Sequence, residues 1–321
     1  FTWLWAIDNE IRTHIPMVYH HVWDNFPAPM FNKPYYESND KIVCISKVTH
    51  EIVKTVAPNV DSVYLPHAVN GEWFKPLGTD VRKKIRKESM NIDNDKFVFF
   101  WNNRNARRKQ SGSVIFWFKQ FLDRVGHDNA SLLMHTDPFD GHGQNLIHIM
   151  EHLGLDQGQV FFSTAKMPFD KLAEVYNAVD CTINISDAEG FGLATLESLS
   201  CGVPIVVNMT GGLQEQVTDG ENWFGIGIEP SSKAVIGSQD VPYIYEDRIN
   251  NDDFVDALVK IYEMTPEERT QLGAAGREHV LKNYNFETFT DNWVKTIDET
   301  IEKHGSWETR KNYNTYNFTE L

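Results

Sequence analysis

The stretch of sequence that decides the predicted fold is Cys181-Thr182-Ile183-Asn184-Ile185-Ser186-Asp187-Ala188-Glu189-Gly190-Phe191-Gly192-Leu193-Ala194-Thr195-Leu196-Glu197. Its apolar start, residues 181–185, predicts a strand, and a helix is predicted over 193–201. A second apolar strand is predicted over 203–207. Glu189 would therefore lie on a loop at the carboxyl end of a strand, and Glu197 one turn into the next helix. Open α/β sheets bind their ligands at this edge.

The residues that open this helix are Gly190, Phe191, Gly192 and Leu193. Their backbone amides are predicted to point at the same edge, where the N-terminus of a helix favours a phosphate. Two carboxylates beside an anion site indicate a ligand that carries both phosphates and hydroxyl groups. A nucleotide sugar is such a ligand.

Length and charge narrow the class of protein. The chain has 321 residues, 41% of them hydrophobic, which is enough for about two domains. A net charge of −15 argues against a broad nucleic-acid surface, so no nucleic-acid partner is expected. No apolar run approaches the roughly 20 residues that span a membrane, and no signal peptide is recognisable. We expect a cytoplasmic protein with Cys44, Cys181 and Cys201 as buried thiols, and leave its oligomeric state open.

The chain begins Phe1-Thr2-Trp3-Leu4-Trp5, without methionine, in a pattern typical of the middle of a helix. We therefore expect that an N-terminal part is missing from this sequence. A processed start is the alternative.

Alternating apolar strands and helices predict an α/β fold whose first part has too few strands for a whole domain. The family resemblance given below implies two Rossmann-like domains that face a cleft. Residues 1–76 are predicted to be the C-terminal part of an N-terminal domain plus a linker, the turn-rich segment 66–76. Residues 77–284 are predicted to be a doubly wound domain that binds the nucleotide sugar, and 285–321 a long helix with a tail. The predicted strands are 16–20, 41–45, 61–65, 97–101, 131–135, 159–162, 181–185 and 203–207, and the main helices are 111–125, 143–153, 168–178 and 193–201. The apolar face of the last helix is predicted to be Phe286, Phe289, Trp293, Ile297 and Ile301.

A basic stretch directly follows the predicted strand 97–101, at the same sheet edge as Glu189. It reads Asn102-Asn103-Arg104-Asn105-Ala106-Arg107-Arg108-Lys109. A diphosphate needs such positive charge, and a leaving diphosphate needs it more as negative charge develops. A solvated basic turn is the alternative.

Two further features lie at the predicted edge. Gly211 and Gly212 follow the strand 203–207 and would let the backbone approach a ligand closely, although an ordinary turn is an alternative. Lys166 follows the strand 159–162 and could contact a base or ribose, or simply be a surface lysine.

His20, His21 and Asp24 lie at the end of the predicted strand 16–20 in the other domain. In a two-domain protein they would face the cleft from the opposite side. A histidine there could position an acceptor hydroxyl or the sugar, whereas packing and polar capping are the alternative.

Other chemistries have weaker support. His148, Glu151 and His152 match the spacing of a zinc-peptidase class, but both histidines are predicted to face solvent and a third ligand is not evident, so no metal is expected. The first strand of the main domain is not followed by Gly-x-Gly-x-x-Gly, which argues against a dinucleotide cofactor.

Together these segments resemble the retaining glycosyltransferases of the GT-B fold, family 4, also called glycosyl transferases group 1. The most specific match is Glu189-x7-Glu197 within Glu-Gly-Phe-Gly…Glu-Ser-Leu-Ser-Cys-Gly-Val-Pro. Arg104 with Lys109, the segments 40–47 and 65–76, and Thr210-Gly211-Gly212 also match, so the resemblance covers roughly residues 15–300.

The resemblance implies a role for each matched residue. Arg104 and Lys109 would neutralise the donor diphosphate, Glu189 would contact sugar hydroxyls near the anomeric centre, and Glu197 would accept hydrogen bonds from the ribose. The amides of 190–193 and the loop of Gly211 and Gly212 would hold phosphate and sugar. His20 or His21 would be the family's cleft histidine; the match does not choose between them, and we place His21 with the catalytic candidates and His20 and Asp24 with the substrate-binding ones.

The resemblance also implies a mechanism. The family needs no metal, the leaving phosphate helps to deprotonate the acceptor, and attack from the same face retains the configuration. The final helix, about 286–303, would cross back and pack on the N-terminal domain. Two departures stand out: the family's first strands and Gly-rich loop, which face the acceptor, are absent, and the usual Gly-Arg is Asn103-Arg104.

We therefore predict a metal-independent, retaining hexosyltransferase that uses a nucleoside-diphosphate sugar. UDP is preferred to GDP on family frequency, and the acceptor is an unknown hydroxyl of a glycan, lipid or protein. The alternatives are a nucleotide-sugar-binding fragment without catalysis, and a phosphorylase or epimerase of the same fold.

Overall fold

The computed structural model describes residues 2–311 and residue 313; Phe1 and the rest of the predicted tail lie outside the described residues. The chain divides into two compact units. The first contains the described residues up to His67, the segment Val235–Tyr245 and the described residues from Glu287 onward. The second contains Ala68–Ala234 and Glu246–Phe286. The predicted domain limits at residues 76 and 284 stay predictions.

In its described part, the first unit contains a three-stranded parallel sheet in the order β1-β2-β3. The central strand β2 is buried along its whole length, and Ile42 and Cys44 pack with Tyr36, Ile52 and Val53. The strands are β1 (Val18–His21), β2 (Lys41–Cys44) and β3 (Ser62–Tyr64). The helices are α1 (Thr2–Ala6), α2 (Asp8–Arg12), α3 (Lys33–Glu37), α4 (Lys47–Val56) and, near the C-terminus, α13 (Phe286–His304).

The second unit contains a six-stranded parallel sheet in the order β6-β5-β4-β7-β8-β9. The strands are β4 (Phe97–Asn102), β5 (Ala130–His135), β6 (Val160–Ser163), β7 (Cys181–Asn184), β8 (Ile205–Asn208) and β9 (Gly225–Ile228). The helices are α5 (Thr79–Ile85), α6 (Ser111–Val125), α7 (Leu146–His152), α8 (Phe169–Ala178), α9 (Leu193–Ser200), α10 (Leu213–Val217), α11 (Asn251–Glu263) and α12 (Pro266–Asn283). Two more strands, β10 (Ser232–Ile236) and β11 (Ile244–Arg248), pair with each other, and each contains a boundary between the two units.

The strand order of this sheet reverses between β4 and β7. The chain runs outward from β4 through β5 to β6, then returns to β7 on the other side of β4 and runs outward through β8 to β9. A doubly wound sheet with this order binds its ligand at the carboxyl ends of the two strands where the direction changes. The loops after Asn102 and Asn184 therefore lie at the switch point.

The core of the second unit explains why these segments form the sheet. Phe99 and Trp101 on β4 are fully buried against Phe118 and Phe121, which lie on one face of α6. Five successive buried positions, 97–101, are typical of a parallel strand that is covered on both faces.

The predicted strands are confirmed to within two residues at each end, and α6 has the predicted bounds. Thr265 and Glu268 form a capping box at the start of α12, and the three cysteines are buried as predicted. Helix α5, strand β9 and the β10–β11 pair were not predicted, because they are short and lack a strong apolar period.

The predicted apolar face of α13 is buried only in part, because Phe289 and Trp293 are half-buried and the other three residues are exposed. Phe286, Ile297 and Ile301 are each more than 40% exposed, whereas Thr296 and Thr300 are buried. The Thr300 hydroxyl donates to the Thr296 carbonyl oxygen at 2.6 Å, so its hydrogen-bonding need is met within the helix and the small side chain can pack. Towards the end of the helix, Lys303 pairs with Asp61 at 3.1 Å in the same unit.

Among the helices of the described residues, none has the length and apolar composition that crossing a membrane requires.

Candidate functional site

The loops after β4 and β7 bring Lys109 and Glu189 together at the switch point. The Lys109 ammonium contacts Glu189 Oε2, and Asn184 Nδ2 donates to the same oxygen at 3.4 Å. Lys109 is only 8% exposed. Burial by itself would raise the pKa of Glu189, but the charges of Lys109 and Arg108 together with hydrogen bonds hold that pKa below its ordinary value. Glu189 is therefore an ionised hydrogen-bond acceptor.

Backbone hydrogen bonds connect the same two loops. The Asp187 amide donates to the Arg108 carbonyl oxygen at 2.8 Å, and the Arg108 guanidinium donates to the carbonyl oxygen of Ala188. The Asp187 carboxylate accepts from Gln110 at 2.7 Å and lies 3.2 Å from Arg248. Burial is the main reason that the pKa of Asp187 is raised to about 6.

The remaining cations of the basic stretch are paired as well. Arg107 makes a two-point ion pair with Glu246 at 2.7 and 2.8 Å. Arg104 is bonded to Asp140 at 2.6 Å and to His142 at 2.7 Å, and its side chain is 62% exposed. The cations of the stretch are thus paired, although Arg104 and Arg107 are more than half exposed. The structure does not bring Arg104 to Lys109 or Glu189.

Glu197 is held by a residue that the sequence analysis did not single out. The fully buried Tyr176 hydroxyl donates to Glu197 Oε2 at 2.8 Å and accepts from Asn102 Nδ2 at 2.9 Å. Burial raises the pKa of Glu197 to about 7, and the Tyr176 hydrogen bond opposes part of that rise. The two glutamates therefore differ: Glu189 is paired with a cation, whereas Glu197 is bonded to a neutral hydroxyl.

Gly211 and Gly212 allow two protein loops to approach each other. A Cβ on Gly211 would collide with the Glu189 carbonyl oxygen, and one on Gly212 would lie 2.6 Å from the Cα of Phe191. The Gly212 amide donates to the Glu189 carbonyl oxygen at 2.9 Å. The close approach that we predicted towards a ligand is made here towards the loop that carries Glu189.

The start of α9 has a conformation that favours glycine. Gly192 has φ of +95°, and the Gln216 amide donates to the carbonyl oxygens of Phe191 at 2.8 Å and Gly192 at 3.1 Å. The Phe191 side chain is 3% exposed and packs on Tyr284, so Phe191 presents only its backbone to a ligand. The Leu193 side chain is 46% exposed, and Gly190 is half-buried.

Lys166 is exposed in the loop after β6, at one margin of the sheet. One strand, β5, lies between β6 and β4. Among the described residues, no hydrogen bond or ion pair links Lys166 to Glu189 or Glu197, so its contact with a base or ribose stays a prediction.

The histidine candidates lie in the first unit. His21 is buried, its Nε2 lies 2.7 Å from the Tyr36 hydroxyl, and burial lowers its pKa to about 3. His20 is half-buried between the edges of the His67 and Trp293 rings, and burial lowers its pKa. Asp24 is half-buried in the same unit. Their place at a cleft stays a prediction.

His148 and His152 are exposed as predicted, with stacked rings 6.1 Å apart. The part of the chain that the structure describes contains no group of three side chains arranged to hold a metal ion.

The structure adds Asn102, Tyr176, Asp187 and Gln216 to the site. Asn102 ends β4 and Asp187 lies in the loop after β7, so their positions at the carboxyl ends of strands could have marked them as site residues. Tyr176 lies in the apolar pattern of α8, where a tyrosine that binds Glu197 cannot be distinguished by sequence from an aromatic residue that only packs in the core.

Comparison with known proteins gives a family. Residues 81–279 match the family model of the glycosyl transferases group 1. The GDP-mannose-dependent alpha-(1-6)-phosphatidylinositol monomannoside mannosyltransferase of Mycolicibacterium smegmatis is 26% identical over 258 residues, which are 78% of this chain and 59% of that protein. The chain spans less than two thirds of the length of the curated relatives it matches.

Solved structures show the same fold. Sucrose-phosphate synthase from Thermosynechococcus elongatus matches with a TM-score of 0.69 at 21% identity, over 85% of this chain and 61% of that one. Anabaena HepE in complex with UDP-glucose matches with a TM-score of 0.69 at 16% identity, over 88% and 72% of the two chains. The predicted α/β fold of GT-B type is confirmed.

The matched segment covers more than half of the chain and contains the switch-point loops with Lys109, Glu189 and Glu197. This chain belongs to the glycosyl transferases group 1 family.

Proposed function

We propose that the protein is a retaining glycosyltransferase that moves a hexose-type sugar from a nucleoside-diphosphate sugar to a hydroxyl acceptor. The observation that carries this proposal is the pair of unlike glutamates at the switch point. Glu189 is an ionised acceptor beside Lys109, and Glu197 lies one turn inside the adjoining helix with a pKa of about 7. Hydroxyl groups at the sugar and ribose ends of one donor would use both carboxylates.

Glu197 suits the ribose end of the donor. Tyr176 occupies Oε2, which leaves the second carboxylate oxygen for ribose hydroxyls. Hydroxyl donors favour the ionised carboxylate, so nucleotide binding would lower the raised pKa of Glu197.

The diphosphate would lie between the start of α9 and Lys109. An ammonium group has three donors, so Lys109 can keep its contact with Glu189 and still donate to a phosphate oxygen. Arg104 would first leave Asp140, and exposed ion pairs of that kind are weak. The amides that open α9 would supply further donors, and we propose that this arrangement works without a metal.

We propose the following transfer step. The bond from the anomeric carbon to the diphosphate oxygen breaks, and the acceptor hydroxyl oxygen bonds to that carbon from the same face. The acceptor proton passes to the leaving phosphate oxygen. Lys109 stabilises the charge that develops on the diphosphate, and Glu189 holds sugar hydroxyls beside the reacting carbon.

UDP is our first choice for the nucleotide. The HepE structure with UDP-glucose supports it, whereas the mannosyltransferase relative is named for GDP-mannose. A cytoplasmic location and the lack of a nucleic-acid partner also stay predictions.

Calorimetry with UDP and GDP, together with a sugar-release assay on UDP-sugars, tests the proposal. We expect Glu197→Ala to weaken nucleotide binding by about 1–3 kcal/mol, because ribose donors lose their acceptor. We expect Glu189→Gln to leave nucleotide binding nearly intact and to abolish transfer. Transfer by Glu189→Gln at the wild-type rate would show that the role of Glu189 is wrong.

A nucleotide-sugar-binding fragment without catalysis is the second candidate; the chain spans less than two thirds of the length of these relatives. Both candidates bind UDP. Only the enzyme releases or transfers the sugar, so the same assay separates them.

A further inference from the structure

A pocket of the second unit lies at the edge of the six-stranded sheet opposite to the switch point, and we call it the basic pocket. Its volume is about 440 Å³, within the range of small-ligand sites. Asp180 and Pro204 line it, and these two residues directly precede β7 and β8. Because the strands are parallel, their amino ends lie at the edge away from Glu189. The basic pocket is therefore separate from the proposed donor site.

A second basic stretch of the sequence contributes to the lining of this pocket. Residues 82–87 read Arg-Lys-Lys-Ile-Arg-Lys, which is five cations in six positions of a chain whose net charge is −15. Arg82 and Lys83 of α5 line the pocket, and α12 adds Arg269. The proposed function gives none of these cations a role.

Among the described lining residues, Asp180 is the single carboxylate, and it already has partners. Its Oδ2 accepts hydrogen bonds from the Arg86 guanidinium and, at 2.8 Å, from the Val98 amide. Arg86 is 2% exposed and also donates to three backbone carbonyl oxygens. The buried pair of Arg86 and Asp180 is thus satisfied without any ligand.

Three more cations surround this pair. Arg82 contacts Asp180 Oδ1 and is therefore the second guanidinium on one carboxylate. Lys83 is exposed, whereas Arg269 is half-buried, lies over the Phe97 ring at 5.0 Å and donates to a backbone carbonyl oxygen. In the part of the chain that the structure describes, no ion pair joins Lys83 or Arg269 to a carboxylate.

The cations of the basic pocket repel one another. Burial lowers the pKa of the Arg86 guanidinium, the charge of Asp180 opposes this change, and the charges of Arg82 and Arg269 add to it. The nearby carboxylate of Glu268 accepts the N-cap amide of α12 at 2.7 Å and does not pair with Arg269. The pocket thus has more positive charge than its own carboxylate balances, and a bound anion would reduce the repulsion.

We propose that the basic pocket binds a small phosphate monoester. The guanidinium groups of Arg82 and Arg269 and the ammonium group of Lys83 offer charged donors to the phosphate oxygens. A phosphate dianion matches the excess of positive charge, whereas a carboxylate has only one negative charge. This inference does not depend on the proposed function.

The rest of the lining favours a small organic phosphate over a polymer. The lining also contains the apolar side chains of Val179, Val203 and Pro204. These can contact the carbon skeleton of a monoester, which inorganic phosphate lacks. A nucleic-acid backbone requires a broad basic face, and the net charge of −15 argues against one.

Calorimetric titration of the full chain with ribose 5-phosphate, in the presence of saturating UDP, tests the proposal. UDP fills the proposed donor site, so the titration measures binding elsewhere. We expect saturable binding of ribose 5-phosphate, weaker binding of inorganic phosphate and no binding of ribose. Lys83→Gln and Arg269→Gln should each lower the affinity about two- to fivefold, the effect of one exposed ion pair, and together roughly tenfold.

Lys84→Gln is the matched control, because Lys84 is an exposed lysine of the same helix that does not line the pocket. Near-ultraviolet circular dichroism verifies that each variant folds, and the exposed Lys83 carries the test if Arg269→Gln does not fold. Equal losses in Lys83→Gln and Lys84→Gln would mean diffuse attraction to the basic stretch and would overturn the proposal.

Three further results would overturn it. One is the absence of saturable ribose 5-phosphate binding, and another is tighter binding of inorganic phosphate than of ribose 5-phosphate. The third is binding to phosphatidylglycerol vesicles that depends on Lys83 and that ribose 5-phosphate does not compete with, which would assign the cations to a lipid surface.

The donor proposal and this one fail separately. In titrations without UDP, Lys109→Ala should keep its affinity for ribose 5-phosphate, although its affinity for UDP should fall. The absence of UDP binding in the wild type would refute only the donor site. Ribose 5-phosphate binding that is lost in Lys109→Ala and unchanged in Lys83→Gln would refute only the basic pocket.

Discussion

Removing the Tyr176 hydroxyl should make UDP binding strongly dependent on pH. Tyr176→Phe deprives Glu197 of the donor at 2.8 Å and leaves the Asn102 amide without its acceptor at 2.9 Å. Tyr176 is fully buried, so water does not readily replace the hydroxyl. The ring itself keeps its packing against Phe74 and Phe100.

The size of the effect follows from the lost hydrogen bond. A hydrogen bond to a charged group contributes about 1.5–3 kcal/mol, which corresponds to roughly 1–2 pKa units. The pKa of Glu197, about 7 in the wild type, should therefore rise to about 8.5 in the variant. At pH 7.5 the ionised fraction would fall from about 75% to about 10%, so UDP should bind roughly eightfold more weakly.

Calorimetric titration with UDP from pH 6.5 to 9.5 measures the affinity of the wild type and of Tyr176→Phe. The two proteins should converge near pH 9.5, where Glu197 is ionised in both. Tyr262→Phe is the matched control, because Tyr262 is a half-buried tyrosine of the same unit that packs on Phe97 and Phe121. A loss of affinity that is the same at every pH would mean that Tyr176 acts by packing alone, and an unchanged affinity would exclude Glu197 from the ribose contact.

Two predictions concern stability. Gly211→Ala should lower the free energy of unfolding by about 1–3 kcal/mol or more, because the new Cβ would collide with the Glu189 carbonyl oxygen and residue 211 has a φ of +49°. Urea titration measures this, with Gly141→Ala as the control because open space surrounds Gly141. Equal stability of the two variants would contradict the close contact between the loops. Glu197→Gln should gain stability relative to the wild type as pH rises from 5 to 8. The pKa of Glu197 in the folded protein is about 7 and exceeds the ordinary value of 4.5. The stability that protonated Glu197 contributes to the wild type is therefore complete below pH 4.5 and is lost as the pH rises through 7, a change of about 3 kcal/mol. A stability difference between the two proteins that stays constant with pH would argue against the raised pKa.

The main unit was largely predictable because its strands are long apolar runs with clear boundaries. Residues 97–101 are buried throughout, and α6 has an apolar face of uninterrupted period. Part of the predicted apolar face of α13 is exposed, because periodicity reports which residues are apolar, not which of them find a partner. Thr296 and Thr300 are buried in place of Ile297 and Ile301, and the Thr300 hydroxyl is satisfied within the helix.

The sequence alone determined the α/β class, the position of Glu189 and Glu197 after a strand, and the basic stretch facing them, because strand, loop and helix signals are local. Only the tertiary structure decided the partners. It placed Lys109 on Glu189 and Arg104 on Asp140, although both cations stand in one short stretch. It also placed Tyr176 on Glu197 and gathered Arg82, Lys83 and Arg269 around one pocket. These pairings join residues distant in sequence through burial and hydrogen-bond geometry, which no local pattern records.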